Sequence, residues 1–397
     1  MTNAVILSAC RTPIGSFGGA LKDLSAADLG AIVIREAIAR AGIDAADLGD
    51  VIMGCVLQAG AGMNVARQAS IQAGVPVAVP AETINRVCGS GLQAVVHAVE
   101  AVKAGYVDLV LAGGTESMSN APYLLKGARW GYRMGNAEAV DSMLQEGLSC
   151  AINGCHMGNT AEEIVKRFNV SRQDQDAFSA ESQRRAEQAI KGGAFAREIV
   201  AVDLPQRKGP AVRMETDEYP RAGTTAEKLA ALRPAFAKDG TVTAGNSSGI
   251  NDGAAALVVS TEEKAKALGK QPLARIVSYA VTGVEPMIMG MGPINALAKA
   301  AHRAGVALGD LSVRTERGVR LTIAGGGQGT QAGSCQGQRA RRRDRARTPD
   351  WRQRRKGPHH ARPRTAGARR RSRSRIPVHR RRNGDRDDRG DDLAVRL

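Results

Sequence analysis

The feature that most constrains the fold of this chain is a change in composition near residue 313. Residues 314–397 contain 26 Lys and Arg against 8 Asp and Glu, whereas residues 1–313 contain 30 basic and 31 acidic side chains. The formal charge of +17 therefore comes entirely from the last fifth of the chain. Between residues 339 and 390 arginine is abundant, prolines are scattered and apolar periodicity is almost absent, so we expect no packed core there. The compact fold must form within the first 313 residues, and the tail is predicted to be disordered.

The first 313 residues have the pattern of an α/β protein. Apolar runs at 4–9, 50–55 and 109–112 predict buried strands, and residues at helical spacing lie between them. Ser25 followed by Asp28 has the signature of a capping box at the start of a helix. Alternating strands and helices indicate a mostly parallel sheet covered on both faces. Further strands are predicted at 83–87, 255–259 and 274–279.

The pattern changes between about residues 119 and 243, which are more polar and richer in loops. This region contains one helix predicted to be strongly amphipathic, capped by Ser171 with Asp174 and closed by the glycines at 192 and 193. We interpret the region as an insertion that covers a site. The segment 245–254 that follows is rich in glycine and hydroxyl groups, so it either offers backbone donors to a ligand or only makes turns.

One cysteine lies in a context that favours chemistry. Residues 85–91 read Asn-Arg-Val-Cys-Gly-Ser-Gly, and apolar residues recur at helical spacing from Leu92 to Val102. Cys88 is therefore predicted just before or at a helix N-terminus, where the helix dipole and free N–H groups favour a thiolate. The neighbouring glycines let the backbone close around the group that the sulfur attacks. The alternative is a buried, unreactive thiol, and the glycine turn favours the nucleophile.

The sequence argues against three classes of protein: disulfide-rich, zinc-binding and membrane-spanning. Six cysteines in 397 residues do not indicate a disulfide framework, and Cys150 and Cys155 lack a second close pair, so no zinc site is expected. No apolar run is long enough for a membrane span, and the N-terminus lacks the basic region and long apolar core of a signal peptide. We therefore expect a cytoplasmic protein without a metal. Five cysteines are interpreted as structural or incidental: Cys10, Cys55, Cys150, Cys155 and Cys335.

The arginine-rich tail raises nucleic-acid binding as an alternative function. The tail lacks the interleaved aromatic residues of stacking binders, and the first 313 residues are almost neutral. We therefore expect no nucleic-acid partner, and a salt-dependent DNA-binding assay would test that expectation.

Four motifs resemble those of the thiolase family. They are the segment 85–91, Gly-Gly-Thr-Glu-Ser-Met at 113–118, His-Met-Gly at 156–158 and Ala-Gly-Asn-Ser-Ser-Gly-Ile-Asn-Asp-Gly-Ala at 244–254. Gly-Val-Glu-Pro-Met-Ile-Met-Gly-Met-Gly-Pro at 283–293 is similar to the short-chain biosynthetic branch of that family. The resemblance is continuous from about residue 4 to about residue 311.

The resemblance implies the thiolase fold, with two similar βαβ-rich halves in a layered αβαβα arrangement and a loop domain. Residues 1–118 and 244–268 would form the N-terminal half, 119–243 the loop domain over the active site, and 269–313 the start of the second half. Residues 314–397 are not expected to be native-like.

The resemblance also implies the chemistry. Cys88 would accept an acetyl group from acetyl-CoA, and a second acetyl-CoA would attack it in a ping-pong reaction that yields acetoacetyl-CoA and CoA. CoA enters as a substrate, so no cofactor is implied. A degradative 3-ketoacyl-CoA thiolase, which runs the same chemistry towards cleavage, remains an alternative. The residues implied to border the acyl group or contact CoA are His156, Met157, Arg221, Ser247 and Met287.

Thiolases are commonly tetramers, and bacterial members often supply the synthesis of 3-hydroxybutyrate polymers. The resemblance therefore implies a homotetramer and this metabolic role as expectations for the present chain.

Three C-terminal thiolase motifs are absent from the sequence as written: Asn-Glu-Ala-Phe, Gly-His-Pro and Cys-x-Gly-Gly-Gly. Each motif appears when synonymous codons for the residues of this chain are translated with the reading frame shifted by one base. Residues 314–320, encoded as CGA ACT GAA CGA GGC GTT CGC, read Glu-Leu-Asn-Glu-Ala-Phe from the second base. Suitable synonymous codons for 347–355 and 378–385 read Gly-His-Pro-Ile-Gly-Ala-Ser-Gly and Cys-Ile-Gly-Gly-Gly-Met-Gly.

Three motifs in order and in one frame predict a frameshift between about residues 306 and 314. The active-site histidine and second cysteine would then begin in the codons that now encode Thr348 and Val378. Neither side chain can perform the implied proton transfers, and the neighbouring histidines are not interpreted as substitutes.

Overall fold

The computed structural model describes residues 3–311. The predictions for the arginine-rich tail, including those for Thr348 and Val378, lie outside the described residues. The strands are β1 (Ala4–Arg11), β2 (Gly15–Ser16), β3 (Asp50–Gly54), β4 (Ala81–Ile84), β5 (Leu109–Ser117), β6 (Tyr123–Leu124), β7 (Val140–Asp141), β8 (Ser149–Cys150), β9 (Cys155–His156), β10 (Val202–Leu204), β11 (Val212–Met214), β12 (Asn251–Thr261) and β13 (Ala274–Ile276). The α-helices are α1 (Ala26–Ala41), α2 (Val65–Gln72), α3 (Ser90–Lys103), α4 (Met157–Phe168), α5 (Arg172–Lys191), α6 (Ala226–Ala230), α7 (Glu262–Ala267) and α8 (Gly292–Ala304).

A seven-stranded sheet organises the described residues, in the order β13-β1-β12-β5-β3-β4 with β2 paired to β12. The predicted strands at 4–9, 50–55, 109–112 and 255–259 are confirmed by β1, β3, β5 and β12. The prediction of a mostly parallel sheet is wrong: β12 pairs antiparallel with β1, β2 and β5, and β1 pairs antiparallel with β13, whereas among the described strands only β3 pairs parallel, with β4 and β5. Residues 119–243 connect β5 to β12, and after this long connection β12 runs antiparallel to β5. Alternating strands and helices alone could not predict that reversal.

Helices cover both faces of this sheet, and the alternation of its strands decides which helix each residue meets. Leu109 and Leu111 pack with Leu29 and Val33 of α1 in one apolar cluster. Val110, between those two leucines, packs in a second cluster together with α3. Each such side chain contributes about 1.5–3 kcal/mol on full burial, so two independent cores hold the sheet from both sides.

The predicted helix caps are present. Ser25 and Asp28 form a complete capping box on α1. The Ser171 side chain accepts a hydrogen bond from the N–H of Asp174 at the start of α5, and α5 ends before Gly192. The interpretation of α5 as strongly amphipathic is wrong, because its one fully buried residue is the charged Asp176.

Residues 119–243 contribute no strand to the large sheet. They form short antiparallel pairs instead: β6 with β7, β8 with β9, and β10 with β11. The predicted strand at 83–87 ends at Ile84, because residues 85–89 turn towards α3. The strand predicted at 274–279 is limited to β13, which pairs with β1. The division of the chain into thiolase halves and a loop domain stays a prediction.

Candidate active site

The Cys88 turn lies where the end of β3 meets the beginning of α3. Gly89 is the N-cap of α3, so Cys88 directly precedes the cap, as predicted. A Cβ atom on Gly54, the last residue of β3, would lie 2.4 Å from the carbonyl carbon of Ser90 and 2.5 Å from the nitrogen of Gly91. Only glycine therefore allows β3 to approach the helix start this closely.

Hydrogen bonds fix the shape of this turn. The Ser90 hydroxyl donates to the Val87 carbonyl at 2.6 Å and accepts from the Arg86 N–H at 2.8 Å. The Asn85 side chain accepts from the Val87 N–H at 2.8 Å and donates to the Val56 carbonyl at 3.2 Å. Val87 has a φ of +49°, which is costly for a β-branched residue. Such strain costs on the order of 1–3 kcal/mol and persists only when the surroundings impose it.

A buried carboxylate supports the turn from below. Glu116, at the end of β5, is 1 % exposed and accepts hydrogen bonds from the N–H groups of Val56 and Leu57, both at 2.9 Å. The carbonyl of Val56 in turn accepts a hydrogen bond from the Asn85 side chain. Hydrogen bonds thus connect Glu116, through Val56 and Asn85, to the strained residue that precedes Cys88.

The expectation that Cys88 favours a thiolate is wrong for this structure. The residue is open to solvent, yet the protein around it removes enough water to raise the pKa of the Cys88 thiol. The negative charge of Glu116 raises this pKa further, and the backbone N–H of Cys88 opposes both effects only in part. A base must therefore remove the proton before the sulfur can attack at neutral pH.

A cavity of about 300 Å³ lies between the region predicted to cover the site and the later segments 246–248 and 289–290. Its lining is mainly apolar, with several hydroxyl and amide groups among the lining residues. Met157 and Ser247 both line this cavity, so the structure brings two of the predicted contact residues together. A narrow apolar chain that carries a few polar groups matches such a lining.

His156 lies beside the cavity at the start of α4. Its Nδ1 atom accepts the N–H of Gly158 at 3.0 Å, so this histidine is the N-cap of the helix. The imidazole ring stacks on Phe236, with centroids 4.8 Å apart, and Phe236 lines the cavity. Partial burial lowers the pKa of His156 and favours the neutral ring.

The remaining predicted contact residues lie outside the cavity lining. The Sδ atom of Met287 is 3.8 Å from the Cys155 sulfur, next to His156 in the sequence, while Met289 lines the cavity itself. Arg221 is exposed, and its N–H donates to the Gln183 side chain at 2.9 Å. Cys88 is likewise not among the lining residues. The assigned roles of all these residues stay predictions.

Sequence reasoning missed Phe236, which stacks on His156 and fills the space beside Gly158. A Cβ on Gly158 would lie 2.2 Å from the Phe236 ring. The one available signal was the small number of phenylalanines, since the chain has only five.

Sequence reasoning also missed Glu162, whose carboxylate accepts the N–H groups of Thr241 and Val242 at 2.9 and 2.8 Å.

Arg11 connects the sheet to the segment that leads to Arg221. Its guanidinium donates to Glu198 at 2.8 Å and makes two bonds to Asp217, at 2.6 and 2.9 Å. All three side chains are at least 95 % buried. This buried cluster holds residues from three distant parts of the sequence at the end of β1.

Residues 3–311 contain no group of three or more His, Cys, Asp or Glu side chains that could hold a metal ion. Within the same range, no helix is both long enough and apolar enough to cross a membrane.

With this geometry established, comparison with known proteins defines the class. Residues 4–263 match the family description "Thiolase, N-terminal domain". The chain belongs to the thiolase family, and its α/β fold is the thiolase fold.

Similar proteins with names indicate the type of thiolase that this chain resembles. An acetyl-CoA acetyltransferase of Pseudomonas aeruginosa is 52 % identical over 313 residues, which cover 79 % of this chain and 80 % of that protein. One from Escherichia coli is 54 % identical over 314 residues, or 79 % of each chain. The crystal structure of the Bacillus anthracis acetyl-CoA acetyltransferase matches with a TM-score of 0.77 at 44 % identity, again over 79 % of each chain.

Proposed function

We propose that this chain derives from an acetyl-CoA C-acetyltransferase that condenses two acetyl-CoA into acetoacetyl-CoA and CoA, with Cys88 as the acyl acceptor. The observation that carries the proposal is the Cys88 turn: a solvent-accessible thiol held at a helix start by Ser90, Asn85 and the close approach of Gly54. Such an accessible thiol in an imposed, strained turn is the arrangement expected of a nucleophile.

In the first half-reaction, the Cys88 sulfur forms a bond to the carbonyl carbon of acetyl-CoA. The bond from that carbon to the CoA sulfur breaks, and CoA leaves as a thiolate that takes up the proton lost by Cys88. The backbone N–H of Cys88 would stabilise the oxyanion, together with a glycine N–H encoded by the out-of-frame Cys-x-Gly-Gly-Gly turn.

In the second half-reaction, a base removes an α-proton from another acetyl-CoA, and the carbanion forms a bond to the carbonyl carbon of acetyl-Cys88. The bond from that carbon to the Cys88 sulfur breaks, the Cys88 thiolate regains a proton from the protonated base, and acetoacetyl-CoA is released. We infer that the histidine that would activate Cys88 and the second cysteine that would transfer the α-proton are encoded one base out of frame, at the codons of Thr348 and Val378. The similarity to known relatives supports this inference, since the alignments with two of them cover 313 and 314 of 397 residues. The chain as written lacks these groups for both proton transfers, so it is expected to acetylate Cys88 slowly and to go no further.

The cavity supports an interpretation for the CoA arm. Its apolar walls suit the methylene groups of pantetheine, while Ser247 and its neighbours offer polar contacts. His156 and Met287 would border the acyl end, and Arg221 would contact the distal part of CoA from its exposed position. No cofactor takes part in this reaction.

The central experiment is incubation of the purified full chain with acetyl-CoA, followed by tryptic mapping. We expect one acetyl group on the peptide 87–103 that carries Cys88, and none on Cys88→Ser. Acetylation of another cysteine would contradict the site assignment. A general base contributes about 10²–10⁴-fold to the rate of a reaction. The chain as written lacks that base, so its turnover should be at least about a hundredfold lower than that of a frame-restored chain.

Resequencing the gene tests the frame directly. We expect one base gained or lost between codons 306 and 314, and an intact frame through the arginine-rich tail would contradict that expectation.

Acyl-chain length separates the proposal from the degradative alternative. The bulky Met157, Phe236 and Met289 around the cavity favour short acyl groups. The frame-restored enzyme should therefore cleave acetoacetyl-CoA faster than a long-chain 3-ketoacyl-CoA, and the reverse preference would favour the degradative enzyme. A cytoplasmic homotetramer that supplies 3-hydroxybutyrate polymer synthesis belongs to the same proposal, and light scattering of the restored enzyme would test the tetramer.

A further inference from the structure

Cys150 and Cys155 face each other across a β-hairpin. They are register partners in the antiparallel pair of β8 and β9, separated by the four-residue loop 151–154. Gly154 adopts a φ of +63° in this loop, and its N–H donates to the Cys150 carbonyl at 2.8 Å. Opposite residues of an antiparallel pair direct their side chains to the same face, with Cα atoms about 4.5–5.5 Å apart. That spacing falls within the usual range of about 4.4–6.8 Å for a disulfide.

Both thiols are reduced in this structure, and both are partly exposed. Asn153 donates to the Cys150 sulfur at 3.6 Å, and the Cys155 S–H points towards the Met287 sulfur at 3.8 Å. The two fully buried cysteines of residues 3–311, Cys10 and Cys55, differ from them. Burial raises the pKa of Cys10 to about 12 and raises that of Cys55 as well, so neither competes as a thiolate.

We propose that Cys150 and Cys155 form a dithiol site that small-molecule disulfides oxidise to an intramolecular disulfide. The Cys150 thiolate attacks one sulfur of the oxidant and displaces one thiolate, leaving a mixed disulfide. The Cys155 thiolate then attacks the Cys150 sulfur and displaces the second thiolate. The protein loses two electrons and two protons, and the oxidant becomes two thiols.

The hairpin places this chemistry beside the cavity. β9 continues through His156 into α4, and the new bond would draw the Cys155 sulfur away from Met287. Oxidation therefore changes the surroundings of residues predicted to border the acyl group. The dithiol itself does not depend on acetyl transfer at Cys88, so the site can be tested separately from the proposed function.

The experiment equilibrates the full chain with mixtures of reduced and oxidised glutathione, blocks the remaining thiols by alkylation and maps tryptic peptides. Peptide 134–166 carries both cysteines, and peptide 87–103 carries Cys88 alone. We expect peptide 134–166 to become two hydrogen atoms lighter and to take no alkylating reagent, and dithiothreitol should reverse the change. The equilibrium constant in the folded chain should exceed that in the guanidinium-unfolded chain about tenfold or more, because the hairpin raises the effective thiol concentration.

Three variants complete the test. Cys150→Ser and Cys155→Ser should each take one glutathione and form no internal bridge, whereas Cys88→Ser should oxidise like the unaltered chain. The proposal is overturned if both cysteines carry separate glutathiones, if peptide 134–166 becomes linked to peptide 87–103, or if folding leaves the equilibrium constant unchanged.

Discussion

The region that holds Cys88 and the region that holds the predicted CoA contacts are built differently. The Cys88 turn sits on a sheet whose strands are buried from both faces, and its geometry depends on backbone contacts such as that of Gly54 with Ser90. Residues 119–243 form short strand pairs and helices, and their longest helix has one fully buried residue. The first region can hold a strained residue, Val87, because a sheet buried on both faces supports it, whereas in the second region single side chains such as Glu162 and the helix caps hold the loops in place.

Arg11 joins the two regions, and its replacement should have the largest effect. Arg11→Met removes the arginine from two buried carboxylates, those of Glu198 and Asp217, which should cost about 3–5 kcal/mol of unfolding free energy. Urea unfolding would measure the loss. The matched control is Arg167→Met, since the ion pairs of Arg167 with Glu163 and Glu285 lie at the surface and should contribute far less to stability than the buried pairs of Arg11. Equal losses in the two variants would remove the distinction between the regions.

Gly54→Ala tests whether backbone contact alone positions the Cys88 turn. The added Cβ would overlap the backbone of Ser90 and Gly91, and we expect a loss of about 2–3 kcal/mol together with a changed alkylation rate at Cys88. The control is Gly283→Ala, because no heavy atom lies within 4 Å of a Cβ built there. Unchanged alkylation in Gly54→Ala would contradict the proposed support of the turn.

Ser90→Ala removes both hydrogen bonds that the hydroxyl makes across the turn. We expect a loss of about 1–2 kcal/mol, since the Arg86 N–H and the Val87 carbonyl each lose a partner. In the unaltered chain, the rate of iodoacetamide labelling at Cys88 should keep rising above pH 9, because burial by the surrounding protein raises the pKa of the thiol above its ordinary value of 9.0. A Ser90→Ala variant with the same pH profile and the same stability would show that the turn is held without the hydroxyl.

The smallest expected effect concerns His156 in the second region. Burial lowers its pKa below 6.5 in the folded chain, so the unfolded chain binds more protons between the two values, and stability should fall as pH decreases through that window. Protonation of Nδ1 would also remove the acceptor for the Gly158 N–H. Urea unfolding between pH 5 and pH 8 would measure the slope. His156→Asn keeps a capping acceptor that does not titrate, so its slope should be flatter, and identical slopes would contradict the assignment.

The features that the sequence predicted are those that depend on near neighbours in the chain. Ser25 with Asp28, the cap at Ser171 and the helix after Gly89 were all readable, because a cap needs only residues three or four positions away. The buried strands were readable too, since their apolar runs are continuous. The thiolase motifs further identified the family, because several long motifs occur in order.

Only the tertiary structure decided the features that depend on distant partners. The position of β12 between β1 and β5, the stacking of Phe236 on His156 and the raised pKa of Cys88 each require residues tens to hundreds of positions apart. The opposition of Cys150 and Cys155 depends on hairpin register, which spacing alone does not specify. The sequence by itself determined which residues can do chemistry, and packing decided which of them meet and in what protonation state, since both burial and charge are set by what surrounds a side chain.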